Sequence, residues 1–141
     1  GIEAFEASET LQELVAAIRR DLDAGRPNAG LDRLHTYCMK RFASLVIKHE
    51  GEPCGENDAL HARVGKYLKA LKAERNLTEM SERIIKSSIS TFEAMNNIRN
   101  NKSLSHDNET LVPMDEAKLI YDSVTALLRF LKTIDAQKFE D

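Results

Sequence analysis

The sequence predicts an all-α fold, a compact up-and-down bundle of about five helices joined by short connections. Apolar residues recur at spacings of three and four in five separate segments, as on one face of a helix. No segment alternates apolar and polar residues well enough to indicate a strand. The chain has no Trp and only 6% aromatic residues, which favours an aliphatic core. Short connections favour antiparallel neighbours.

The length and charge of the chain limit its domain count and its partners. Its 141 residues fit one domain, residues 1–141, which can bury roughly two-thirds of the unfolded surface. The chain begins at Gly1 without Met, so the sequence also fits the C-terminal part of a longer protein. The net charge of -3 argues against coating nucleic acid through general basicity. Any RNA contact must therefore be a local patch.

The sequence also predicts the compartment. No apolar run approaches the roughly 20 residues that a membrane span needs, and no basic segment followed by an apolar one indicates a signal peptide. We therefore expect a cytoplasmic protein without membrane contact. Cys38 and Cys54 lie in unlike settings, a helical pattern and a loop, so we expect both to be reduced.

The first two helices are defined by their apolar spacing. Ser8 is a plausible N-cap for the first helix, which ends before Gly25. Residues 26–28 are expected to form the connection. The second helix ends at Gly51, with cations in its last turn. The apolar positions of the two helices are Leu11, Leu14, Val15, Ile18 and Leu22, then Leu31, Leu34, Cys38, Phe42, Leu45 and Val46.

The third helix follows an acidic loop over residues 51–58, which contains Pro and Gly and is expected to be solvated. Asn57 or Asp58 is the predicted cap, and Asn76 ends the helix. Its apolar positions are Leu60, Val64, Tyr67, Leu68 and Leu71. The cations Lys66, Lys69, Lys72 and Arg75 occupy other faces. Such a run can follow phosphates, but it is usually a solvated face.

The fourth helix has the clearest periodicity, and Thr78 or Ser81 should open it. Its apolar positions are Met80, Ile84, Ile85, Ile89, Phe92, Met95 and Ile98, a stripe expected to be core or dimer interface. Pro113 and the acidic residues after it mark the start of the fifth helix, which runs to about Ile134. Its apolar positions are Leu119, Ile120, Val124, Leu127, Leu128 and Leu131. The tail over residues 135–141 is expected to fray.

A polar turn separates the last two predicted helices. Residues 100–103 read Asn-Asn-Lys-Ser, whose short polar side chains favour a turn over a helix interior. We therefore expect the fourth helix to end near Arg99. His106 follows seven residues later, so the Arg and the His should lie on either side of a tight, polar helix exit.

Arg99-Asn100 followed by five residues and His106 resembles the signature of the HEPN superfamily, and the chain is most similar to the abortive-infection protein C-terminal family. The similarity covers roughly residues 27–134. The segments that carry it are Leu34–Tyr37, Gly65–Lys69, Ser87–Ser90, Asn97–Asn101 and Ser105-His106. The six residues between Arg99 and His106 are at the long end of the family spacing and include no Gly, and Asp107 stands where relatives often have Gly.

The resemblance implies a HEPN-like helical domain that acts as a metal-independent endoribonuclease. Members commonly dimerise so that two copies of the motif form one cleft, and many serve phage defence, toxin–antitoxin systems or RNA processing. By position, Arg99 would bind the scissile phosphate, Asn100 would hold that geometry and His106 would transfer protons. Lys102 and Lys66 are weaker candidates for substrate contact. The implied partners are RNA, a second copy, and an antitoxin or further domain.

The chemistry agrees with these residue types. RNA cleavage without a metal needs a base for the 2′-hydroxyl, an acid for the leaving 5′ oxygen and a cation for the charge on phosphorus. His titrates near neutral pH, and Arg offers a planar fork of donors to phosphate. A second copy would supply the second set, giving a 2′,3′-cyclic phosphate and a 5′-hydroxyl.

Other interpretations remain open. Arg99 and His106 can equally tie down a helix end. His35 is expected to be partly buried and hydrogen-bonded rather than catalytic. The histidines and cysteines lack zinc spacing, and no Gly-rich phosphate loop is present, so neither a metal nor a cofactor is expected. The alternative function is a non-catalytic dimerisation or partner-binding domain of a larger defence protein.

Overall fold

The computed structural model describes residues 9–100 and 111–140, with the side chains of residues 98–100 left aside. Within these ranges the chain forms six helices and no strand, which confirms the predicted all-α bundle. The helices are α1 (Leu11–Asp23), α2 (Pro27–Lys48), α3 (Leu60–Glu74), α4 (Glu79–Asn100), α5 (Met114–Ile134) and the short α6 (Ala136–Phe139). None of the helices in the described ranges is long and apolar enough to cross a membrane.

Each helix packs on the next one in the chain, and α5 closes the bundle by packing on α2 and α1. Helix α2 is central, because it contacts α1, α3, α5 and α6. The core is mainly aliphatic, as expected. Its fully buried large side chains include Leu14, Ile18, Leu34, Phe42, Leu45, Tyr67, Leu68 and Ile85.

The start of α1 differs from the prediction. The N-cap is Thr10, whose Oγ1 accepts a hydrogen bond from the N–H of Glu13 (3.1 Å), while the Glu13 carboxylate accepts one from the N–H of Thr10 (3.0 Å). This capping box replaces the predicted cap at Ser8, which lies outside the described residues. Helix α2 begins at Pro27, inside the predicted connection, because Pro at the first helical position loses no hydrogen bond.

The amino end of α3 is capped from another helix. Its N-cap residue is Ala59, and neither Asn57 nor Asp58 caps it as predicted. Instead the Glu93 carboxylate, from α4, accepts the backbone N–H of His61 (2.6 Å). The helix ends at Glu74, shortly before the predicted Asn76.

Helix α4 begins as predicted at Thr78, whose Oγ1 accepts the N–H of Ser81 (3.0 Å). Its apolar stripe is divided. Ile85, Ile89 and Phe92 are buried in the core, whereas Met80 and Ile84, on the outer side, are 63% and 55% exposed. The stripe is therefore part core and part open surface. Helix α5 follows Pro113 and ends at Ile134, as predicted.

The prediction of a frayed tail is wrong through Phe139. The chain turns at Asp135 into α6 (Ala136–Phe139), and the Phe139 ring is fully buried. Arg41 Nη1 donates to the Phe139 carbonyl oxygen (2.8 Å), and its guanidinium lies 4.7 Å from the centre of the Phe139 ring. This cation–π contact and hydrogen bond fix the tail on α2.

Candidate functional site

The candidate site lies at the exit of α4. The described part of this helix includes Arg99 and Asn100. Residues 101–110, with Lys102 and His106, lie outside the described residues, so the predicted end near Arg99 stays a prediction.

One aromatic contact joins α4 to α2. Phe92, seven residues before Arg99, is fully buried, and the His35 ring of α2 meets it edge-on at 5.8 Å between ring centres. His35 is partly buried, as predicted. This contact lies about two turns before Arg99.

The chain is also attached to α2 just before α5 begins. The backbone N–H of Val112 donates to Oδ1 of Asn28 (3.0 Å), a buried hydrogen bond to the first turn of α2. The chain before α5 is therefore held beside α2 at Val112. The sequence did not reveal this contact, because Asn28 lies 84 residues from Val112 and no spacing rule relates the two.

Two arginines at the start of α2 are held by one carboxylate of α1. Asp21, which is buried, accepts from Arg26 (3.3 Å) and Arg33 (3.1 Å). These ion pairs join the start of α2 to the end of α1.

Lys66 has a different environment from the one a substrate contact requires. Its Nζ donates to the Asp58 carboxylate (2.8 Å) and the Pro53 carbonyl (3.1 Å), and it pairs with Glu52 (3.2 Å). The hydrogen bond to Asp58 raises the pKa of Lys66 and lowers that of Asp58. Lys66 therefore ties down the loop over residues 51–58.

Arg63 holds the same loop, which the sequence predicted to be solvated. Its guanidinium donates to the carbonyl oxygens of Asp58 (2.8 Å) and Glu56 (3.1 Å). Cys54 in this loop is buried, which raises the pKa of its thiol. Burial raises the pKa of Cys38 to about 12. Neither thiol is part of a disulfide.

A second polar cluster, absent from the sequence predictions, joins the ends of three helices. His49 places Nδ1 2.8 Å from Glu74 Oε2 and Nε2 2.8 Å from Asp135 Oδ2. Tyr67 donates to the same Asp135 oxygen (2.8 Å), and burial, followed by this hydrogen bond, raises the pKa of the phenol. The His49 side chain is 1% exposed, so it is closed to a substrate. This cluster is structural.

The described residues provide no metal site. Among residues 9–97 and 111–140, no three His, Cys, Asp or Glu side chains converge as metal ligands would. His61 bonds to Glu93 through Nδ1 (2.8 Å). The Glu93 carboxylate is therefore engaged in capping α3.

The helical bundle and the motif at the α4 exit define a HEPN-like domain. Comparison with protein families agrees: the family described as Abi_C, a HEPN-like domain, matches residues 7–135. The chain belongs to this family, which confirms the resemblance and indicates a function related to abortive infection. No curated protein and no solved structure matched the chain.

Proposed function

We propose that this protein is a metal-independent endoribonuclease that acts as a homodimer in prokaryotic phage defence by abortive infection, or in a toxin–antitoxin system. The observation that carries the proposal is the family membership together with the motif at the exit of α4. Fold alone does not determine activity, so the motif residues bear the chemical part of the argument.

The proposed roles follow from the chemistry of the side chains. Arg99 binds the scissile phosphate and stabilises the charge that develops on it, because a guanidinium matches two phosphate oxygens at once. Asn100 holds this arrangement. His106 and its copy in the second protomer act as base and acid, so the cleft is complete only in the dimer.

An apolar groove between α4 and α5 supports the dimer. The groove has a volume of about 250 Å³ and is lined by Ile84, Leu127 and Phe130 among the small residues Ser81, Ser88, Ser123 and Ala126. Ile84 is 55% and Phe130 39% exposed, so the same surface offers protruding side chains and a groove to receive them. A two-fold interface needs this self-complementarity, which makes a second copy the proposed occupant.

The position of the groove restricts the dimer geometry. Ile84 lies 15 residues before Arg99, about 22 Å along the helix. Two copies of α4 running in the same direction bring both motifs to one end of the dimer. Antiparallel copies joined at Ile84 would separate the motifs by about 45 Å and prevent a shared cleft. The proposal therefore requires parallel copies of α4.

The decisive experiment is cleavage of a mixed RNA pool in EDTA, with the new ends mapped. The wild type should leave 2′,3′-cyclic phosphate ends, and Arg99→Ala and His106→Ala should leave none. His61→Ala is the matched control, because this histidine is exposed and the variant keeps the backbone N–H that Glu93 caps, so it should stay active. Equal activity in all variants would refute the assignment.

The dimer is tested in the same preparations by light scattering. Ile84→Glu places a charge in the apolar groove and should give monomers without cleavage activity. The same groove also favours the alternative function, a non-catalytic dimerisation or partner-binding domain of a larger defence protein. A stable dimer that cleaves no RNA in any preparation would favour that alternative.

A further inference from the structure

A second groove, between α3 and α4, is rich in cations. A depression of about 430 Å³ between the two helices is lined by Lys69, Lys72 and Lys86. An adjoining depression of about 570 Å³ on α4 is lined by Lys86 and Arg83. Glu79 and Glu82 are the acidic residues that line it. Its local charge is therefore positive, although the whole chain carries -3. We call this surface the basic groove.

Glu82 organises the cations in the basic groove. Its carboxylate accepts from Lys72 (3.0 Å) and Lys86 (2.9 Å), and these hydrogen bonds lower its pKa. Its side chain is only 19% exposed, whereas those of the two lysines are 47% and 57% exposed. The two ammonium groups are thus more open to solvent than the carboxylate that pairs them. Lys69 and Arg83 are exposed and form no ion pair with the described residues.

A glycine in the interior of α3 also lines the groove. A Cβ at Gly65 would meet nothing within 4 Å, so packing inside the chain does not require glycine here. Glycine is costly inside a helix, and its usual benefit is close approach to the backbone. A ligand lying against α3 between the lysines would use that access.

The seam between α3 and α4 leads from the basic groove to the candidate site. Lys72, near the end of α3, contacts Glu82, and His61, at the start of α3, contacts Glu93. The two helices are therefore antiparallel, and their seam continues along α4 toward its exit. Lys86 lies 13 residues before Arg99, about 20 Å along the helix.

We propose that the basic groove binds the phosphate backbone of single-stranded RNA and holds the strand on which the α4 exit acts. This inference rests on the proposed nuclease function for its choice of RNA. A flexible strand can follow the seam between two helices and place phosphates beside several cations. The groove contributes affinity and position, while the motif at the end of α4 carries the chemistry.

The test measures binding of a fluorescent 20-nucleotide oligouridine by anisotropy in EDTA, in a His106→Ala background that prevents cleavage. The double change Lys69→Gln and Arg83→Gln should weaken binding. It should also make the slope of log affinity against log salt shallower by about 1.4, since each phosphate contact on a single strand contributes about 0.7.

Two further variants test the groove, one that removes a negative charge and one that leaves the charge unchanged. Glu82→Gln should tighten binding, because it releases two ammonium groups and removes a repulsive charge. Gly65→Ala should weaken it without any change of charge. Arg19→Gln and Asp23→Asn, on the exposed surface of α1, are matched charge controls. Equal effects in groove and control variants, or no effect in either, would overturn the proposal.

Cleavage assays separate this proposal from the nuclease proposal. The double variant Lys69→Gln and Arg83→Gln, and Gly65→Ala, both restored to His106, should lose activity on the 20-nucleotide RNA and keep it on a trinucleotide too short to span 20 Å. If no RNA is cleaved but the groove variants change binding as described, the groove stands and the nuclease fails. If both substrates are cleaved as by the wild type and binding is unchanged, the groove assignment fails alone.

Discussion

Nε2 of His49 lies 2.8 Å from Oδ2 of Asp135, and this contact joins the end of α2 to the residue between α5 and α6. The Tyr67 hydroxyl shares the same carboxylate oxygen, so α3 belongs to the same cluster. Both carboxylate contacts of His49 are hydrogen bonds when each ring nitrogen carries a proton. The arrangement ties three helices together at one end of the bundle.

This cluster gives the first stability prediction. Asp135→Ala should lower the free energy of unfolding by about 3 kcal/mol, because it leaves a buried imidazole and a buried phenol without their partner. Glu74→Ala is the matched control, since Glu74 contacts the same ring but is 46% exposed, and it should cost less than about 1 kcal/mol. Urea unfolding measures both. Equal losses would show that burial does not distinguish the two carboxylates.

Two glycines should respond in opposite directions to alanine. Gly65→Ala should raise the free energy of unfolding by about 0.5–1 kcal/mol, because the added Cβ meets nothing and the helix gains propensity. Gly51→Ala should lower it by about 1–3 kcal/mol, since its Cβ would lie 2.9 Å from the Cβ of Ala70. Thermal and urea unfolding report both values. A destabilised Gly65→Ala protein would contradict the open space seen around this position.

The acid side of the pH–stability curve should depend on Asp58. The hydrogen bonds from Lys66 and from the N–H of Gly55 lower its pKa in the folded state. A carboxyl group with a depressed folded pKa stabilises the protein above its unfolded pKa and loses this contribution as pH falls through the folded value. The wild type should therefore lose stability from about pH 5 to pH 3.

Asp58→Asn should be less stable than the wild type at pH 7 and approach it at pH 3, so its curve is shallower. Asp23→Asn removes an exposed carboxylate of α1 that lies away from this loop, and its curve should keep the slope of the wild type. Unfolding by urea across this pH range gives the comparison. A constant difference between Asp58→Asn and the wild type at every pH would contradict the assigned contacts.

The sequence predicted the helices because their signals are local. Apolar spacing located five helices, and Thr78 marked the start of α4. Periodicity identifies an apolar face but does not tell whether another helix covers it. For this reason the same pattern included buried Ile85 and exposed Ile84.

Contacts between distant residues could not be predicted in this way. Glu93 caps α3 from 32 residues away, and no spacing rule relates it to His61. Arg41 and Phe139 are also far apart, so the tail looked like a polar end that would fray. In each case the deciding interaction is tertiary.

Only part of the candidate site could be predicted from the sequence. The helix exit followed from local turn preferences, but the roles of Arg99 and His106 came from the family resemblance. The sequence has no signal that marks Asn28, which holds the chain at Val112. It also has none that separates the residues of the basic groove from ordinary surface residues. Their arrangement needs the packed helices.

Helix α2 can complete its contacts only after the ribosome has made the last residues of the bundle. Arg41 bonds to a residue 98 positions later, and His49 to one 86 positions later. At about 5–20 residues per second, a ribosome needs roughly 5–20 s to make these partners. During that interval the nascent α2 lacks the groups that complete its buried polar contacts. The bundle therefore closes late in translation, and the growing chain remains open to chaperones and proteases until then.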